Sequence, residues 1–223
     1  MQKGAVCLAA LGFFLLLAGG MLLGAYRVGT DAGTYLAVSR ETADLEYIGL
    51  TREETDRALT ALARYLRGED AALDDTPFHE RERAHMRDVR ALFSVCARLS
   101  AACLIWGGAL VCALAGRAGR RGLLWGALLS WLALGLLALP AVFSAFDKLF
   151  LGFHRLLFRN DLWLMDPRTD VMIRMLPQAF FEKMARLLLC PAWPLGAQAA
   201  GFLCAEGIRA ASTRGGKRHR HAI

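Results

Sequence analysis

The sequence predicts an all-α integral membrane protein, with four transmembrane helices and a small extracytoplasmic helical cap. Three observations predict it. The apolar residues fall in long uncharged blocks, Lys and Arg gather at particular block ends, and the polar stretch between the first two blocks has helical periodicity. At 56% hydrophobic, with a mean hydropathy of +0.35, the 223-residue chain is too apolar for an ordinary soluble domain.

Residues 4–25 (GAVCLAALGFFLLLAGGMLLGA) contain no charge, and crossing a hydrocarbon core takes about 20 apolar residues. The first transmembrane helix is therefore assigned to 1–25. Its apolar run is longer than the roughly 7–15 residues of a signal-peptide core, so it is read as a retained anchor. Residues 99–116 and 122–146 are also uncharged, giving a second span at 93–116, a cytoplasmic loop at 117–121 and a third span at 122–146. A fourth apolar stretch, 184–205, is interrupted by CPAWP, where Pro191 and Pro194 predict a break or kink. That span is assigned to 178–208, ahead of a basic tail at 209–223.

Orientation follows from the cations beside the spans. Lys3, GRAGRRG between spans two and three, and TRGGKRHRHAI at the end all fall on one side of a four-span chain. Both termini are then cytoplasmic, and the cap (26–92) and the segment 147–177 lie outside. The formal net charge of +7 is on this reading an orientation signal, so no nucleic-acid partner is expected. Residues 26–90 hold ten Arg against fourteen Asp and Glu, and a segment that long is translocated regardless of its arginines. All six cysteines lie in or beside predicted spans without CxxC spacing, which suits small apolar filler.

In the cap, TREETDRALTALARYLRG reads as one helix. Thr51 and Glu54 make a capping box, Ala58, Leu59, Leu62, Tyr65 and Leu66 form one apolar face, and Gly68 ends it. A second helix is expected from Thr76 as N-cap and Pro77 at the first helical position, running unbroken into the second span. On it Phe78, Glu82, His85, Met86, Val89 and Phe93 share a face, with Glu82 and His85 at i, i+3. Pro177 suits the start of the last helix.

The chemistry-bearing residues concentrate at one membrane depth. His85 comes shortly before the second span and His154 shortly after the third, so both fall at the outer rim, where imidazole both takes and gives protons near neutral pH. Around His154, GFHRLLFRNDLWLMDPRTD (152–170) packs Asn160, Asp161, Asp166 and Asp170 among aromatics. Phe150, Phe153, Phe158, Trp163, Phe180 and Phe181, with Phe78 and Met86 from the His85 face, suggest an aromatic pocket with a few polar groups, as a lipid-bearing substrate requires. HERERAH is H-x5-H rather than HExxH, the single ExxH at 82–85 lacks a repeat, and no G-x-S-x-G occurs. Neither a metal nor a soluble cofactor is expected. A metal-dependent membrane hydrolase using the same histidines and a non-catalytic membrane interaction protein remain the alternatives.

FHERERAHMRDV (78–89), the later FHRLLFRNDLWLMDPRTDVMIRMLPQAFF (153–181) and YLRG (65–68) together resemble the bacterial lipoprotein intramolecular transacylases. The chain departs from that family's pattern at Leu157-Phe158, in place of two Phe, and at Gln178, in place of an acid. The resemblance implies four transmembrane helices under an extracellular cap in the bacterial cell membrane. It implies a diacylated lipoprotein as substrate, whose sn-2 acyl chain moves from the diacylglyceryl-cysteine to the α-amino group of that cysteine. It places catalysis on His85 and His154. Beside them, Glu82 is expected to orient His85, with Asp88 and Asp161 adjacent, and Arg81, Arg155 or Asn160 to steady the oxyanion.

Overall fold

The computed structural model describes residues 3–142, 145–188 and 192–220, with side chains described to 137, over 145–187 and over 194–211. Among the described residues there is helix and no strand: α1 (Lys3–Gly29), α2 (Ala32–Thr42), α3 (Leu45–Ile48), α4 (Arg52–Arg67), α5 (Glu80–Val142), α6 (Phe146–Leu157), α7 (Val171–Met175), α8 (Gln178–Leu188) and α9 (Ala192–Arg220). Cys190, Pro191 and His221 lie outside the described residues. The helices form two units. One holds α1 to Leu23, α5 from Arg98 and α9; the other holds Gly24–Ala97 with α6, α7 and α8.

The first unit packs through small residues. Ala5, Ala9, Phe13 and Leu16 follow one another at three- and four-residue steps on α1 and bury against Val111, Leu114, Ala115, Ala118 and Leu123 of α5 and Ala205 of α9. Gly12 and Gly107 let two backbones meet: a Cβ on Gly107 would lie 2.8 Å from the Gly12 carbonyl oxygen. The chain reverses within α5. Leu104 approaches Gly19 and Val111 approaches Gly12, whereas past Gly119 Gly122 approaches Val6 and Gly126 approaches Ala9. Gly119 turns it, with φ 63° and ψ 172°, a conformation costly for any residue with a Cβ. The cytoplasmic loop expected at 117–121 is thus reduced to a one-residue break in helical geometry.

Hydrogen bonds between helices supplement this packing. Gln198 on α9 accepts from Trp131 Nε1 at 2.8 Å and donates to Ser130 Oγ at 2.7 Å and the Phe13 carbonyl at 3.3 Å, while Ser100 Oγ donates to the Gly19 carbonyl at 2.8 Å. Cys112 and Cys204, both free, sit with sulfurs 3.2 Å apart. Outward leucines such as Leu128, Leu132, Leu136 and Leu203 leave this unit's surface apolar, as lipid contact requires. Two described helices are long and apolar enough to cross a membrane, Lys3–Gly29 and Glu80–Leu137, the second spanning the Gly119 reversal. The helix Ala192–Arg220 is not among them, and Gln198, Glu206 and Arg209 interrupt its hydropathy.

The second unit is built by caps. Asp31 accepts from Thr34 N to start α2, Asp44 from Glu46 N and Tyr47 N to start α3, and the Thr51–Glu54 capping box starts α4. Gly68, at φ 90°, ends α4 as expected, and its face from Ala58 to Leu66 is buried. Against it pack Tyr35, Val38, Phe78, Met86, Met172, Met175 and Phe180. Arg90 of α5 lies 4.6 Å over the Tyr65 ring and donates to the Asp70 carbonyl, fixing α5 to the end of α4.

α5 begins at Glu80 and not at Pro77. The Thr76 hydroxyl is spent on the Leu73 carbonyl at 2.5 Å, and the first turn is capped by Glu82, which accepts from His79 N at 2.6 Å. The segment 147–177, expected as an external connection, carries more structure than that: α6 and α7 lie within or across it.

Candidate active site

His85 stands in the second turn of α5, in its polar beginning ahead of the apolar stretch, and His154 in the last turn of α6. The rings lie 6.1 Å apart between centroids, tilted by 34°. Both are buried, at 5% and 9% exposure. Aromatic rings enclose the pair. Phe158 meets His85 edge-on at 5.0 Å and His154 at 5.6 Å, while Phe150, Trp163 and Phe153 stand 4.2, 5.1 and 5.4 Å from His154. Phe181 extends this wall through Phe150.

The two imidazoles are held differently. His154 Nδ1 bonds the Phe150 carbonyl one turn back at 2.8 Å. A carbonyl only accepts, so Nδ1 carries the hydrogen and Nε2 keeps its lone pair. His85 Nδ1 is buried with no partner. Burial lowers the His85 pKa to about 4, the neighbouring His154 pushing the same way and Asp88 opposing. Burial also lowers His154, against a smaller upward pull from the Phe150 bond. Both rings are therefore neutral at pH 7, as a proton acceptor must be.

Glu82 directs its hydrogen bonds elsewhere than to His85. Fully buried, it accepts from His79 N at 2.6 Å through one oxygen and from Met172 N at 2.5 Å through the other. It thus joins the N-termini of α5 and α7, two ends with unsatisfied N–H groups and partial positive charge. Asp170, also buried, precedes α7 and accepts from Asp166 N at 2.7 Å. Together His79, Glu82 and Asp170 bring ligating atoms within 4.8 Å of one another, the one such trio among the described residues. Both Glu82 oxygens are already engaged, and neither His85 nor His154 belongs to the trio.

Asp88 and Arg81 hold the loop after α6. Asn160 Nδ2 donates to Asp88 Oδ2 at 2.9 Å, and Arg81 donates to the carbonyls of Asp161 and Leu164 at 2.7 and 3.1 Å. This clamp presents Phe158 and Trp163 to the histidines. Arg155 is exposed. Of the expected pocket residues, Phe153, Phe158, Trp163 and Phe181 gather at or beside the histidines, whereas Phe78, Met86 and Phe180 pack in the unit's core. The roles of Phe150 and Asp170 escaped sequence reasoning: a backbone carbonyl has no sequence signature, and Asp170 was one acid among several.

Residues 12–181 match the family described as Lipoprotein intramolecular transacylase Lit. No curated protein sequence matches the chain significantly. Among solved structures, it resembles the in meso structure of the membrane integral lipoprotein intramolecular transacylase Lit from Bacillus cereus, with TM-score 0.74 and 21% identity over 96% of this chain and 100% of that one. Two variants of that protein, with a histidine replaced by arginine or by alanine, give TM-scores of 0.71 and 0.69 at 22% and 24% identity. They cover 97% and 95% of this chain and 93% and 94% of their own. At such identities the likeness is one of fold, that of a membrane-integral helical protein; the match over most of the sequence goes further, and the chain belongs to the lipoprotein intramolecular transacylase family, Lit.

Proposed function

We propose that this protein, in the bacterial cell membrane with four spans and cytoplasmic termini, moves the sn-2 acyl chain of a lipoprotein's diacylglyceryl-cysteine to the α-amino group of that cysteine. The observation that carries the reading is the pair of buried imidazoles 6.1 Å apart inside an aromatic wall. Ester and amine belong to one molecule, so the protein needs mainly to hold them in contact, and good orientation contributes roughly 7–11 kcal/mol to such reactions. Phe153, Phe158 and Trp163 are placed to confine the acyl chain.

One proton must travel from the attacking nitrogen to the departing glyceryl oxygen. The amine attacks the ester carbonyl while His154 Nε2, its lone pair set by the bond from Nδ1 to Phe150, takes the proton. The N–C bond forms, the carbonyl oxygen becomes an oxyanion, and collapse expels the glyceryl oxygen, which receives that proton from the His154 imidazolium. His85, with a ring nitrogen still unpartnered, is the group facing this transfer and holds the leaving oxygen. The products are an amide on the cysteine and a free hydroxyl on glycerol. Positioned proton transfer is worth about 10²–10⁴ in rate. His85→Ala and His154→Ala should each abolish formation of the lyso-form lipopeptide in a mass-spectrometric assay while the protein stays membrane-inserted. Full activity in both variants would overturn the mechanism.

A further inference from the structure

α6 carries a second surface that shares only Phe153 with the wall around His154. Its inner side buries His154 against Phe150, while Leu149, Phe153 and Leu156 form an adjoining stripe at i, i+4 and i+7 that stays uncovered, Leu156 at 84% and Phe153 at 50% exposure. About a third of the way round the helix from that stripe stand Lys148 and Arg155. Seven residues apart, they lie within about 20° of each other around the helix and about 10 Å along it. Arg159 follows just past the C-cap.

Most cations of this unit are engaged; among its described residues these three exposed cations share with Arg27 and Arg52 the lack of an ion pair or side-chain hydrogen bond. Arg40, Arg64, Arg67, Arg83, Arg87, Arg168, Lys183 and Arg186 all face carboxylates, and Arg81, Arg90 and Arg174 hold backbone carbonyls. Among the described residues, no ion pair involves Lys148, Arg155 or Arg159. An exposed leucine stripe on the same helix as a row of free cations complements one ligand class in both parts: acyl chains along the leucines and a phosphate diester on the cations.

We propose that α6 binds an anionic phospholipid, its headgroup held by Lys148, Arg155 and Arg159 and its acyl chains laid along Leu149, Phe153 and Leu156. An acidic protein segment would satisfy the cations and leave the leucines in water; a neutral lipid would do the reverse. Because His154 sits on the other side of the same helix, such a lipid would seat the catalytic imidazole at a defined depth in the interface. The inference rests on α6 alone and is independent of the acyl-transfer reading.

The test is native mass spectrometry of the full chain in neutral detergent, titrated with phosphatidylglycerol or phosphatidylcholine. The expected result is preferential retention of phosphatidylglycerol. It should weaken about tenfold or more in the triple variant Lys148→Gln, Arg155→Gln, Arg159→Gln, with phosphatidylcholine retention unchanged. Raising ammonium acetate should weaken phosphatidylglycerol retention by the wild-type chain, an arm that needs no variant to fold. Equal retention of the two lipids, or undiminished phosphatidylglycerol on a triple variant of native helix content, would overturn the proposal. So would displacement of the lipid by glycerol 3-phosphate or by an acidic peptide at comparable concentration.

Discussion

Truncating Glu82 to Ala would strand the buried N–H of Met172 and the partly buried N–H of His79. Stranded donors cost about 1–3 kcal/mol each, so Glu82→Ala should lower stability by about 2–4 kcal/mol in thermal unfolding of the detergent-solubilised protein. Glu82→Gln, which keeps one acceptor oxygen, should fall between. His85 makes a second prediction through pH. Burial depresses its folded-state pKa to about 4, whereas the unfolded ring titrates near its ordinary 6.5. As pH falls through that window the unfolded chain binds a proton that the folded one refuses, so stability should drop between about 6.5 and 4 and stay level above. His85→Asn should flatten that slope, leaving the smaller share that belongs to His154. The histidine pair was legible in the sequence because membrane depth can be counted from the spans. The work of Glu82 was not: i, i+3 spacing pointed it at His85, and its second partner comes 90 residues later.

Elements with local start and stop signals could be read ahead of the structure, and those defined by distant partners could not. Thr51, Glu54 and Gly68 delimit α4 by bonds within a few residues, and its buried face follows from period alone. α6 hid inside an apparent connection. Its apolar stripe is the exposed side and the polar His154 the buried one, so its pattern points inward the wrong way. The start of α5 was misplaced by three residues since Thr76 and Pro77 imitate a helix opening, while the true cap is a side chain three residues inside. The contact of α1 with α5 invites a direct check. Gly107→Ala would push a Cβ to 2.8 Å from the Gly12 carbonyl and 3.0 Å from the Leu15 Cβ, and should cost about 1–3 kcal/mol in thermal unfolding. Gly108→Ala, which meets open space, should change stability little.

At the scale of the whole molecule, the family match ends at residue 181, yet α9 beyond it contributes Gln198 to the core shared by α1 and α5. Gln198→Leu removes bonds to Ser130, Trp131 and the Phe13 carbonyl. Hydrogen bonds between membrane helices are worth about 0.6–2 kcal/mol each, so a loss of about 1–3 kcal/mol is expected on thermal unfolding. The tie from Glu82 to Met172 also sets an order of events during synthesis. α5 emerges from the ribosome long before residue 172, so its first turn enters the growing protein with one carboxylate oxygen awaiting a donor that has not been translated. A nascent chain halted between residues 158 and 171 owns both histidines and Phe158, but lacks the bond that joins α5 to α7. Joining of α5 to α7 is therefore a late step, complete only when residue 172 arrives.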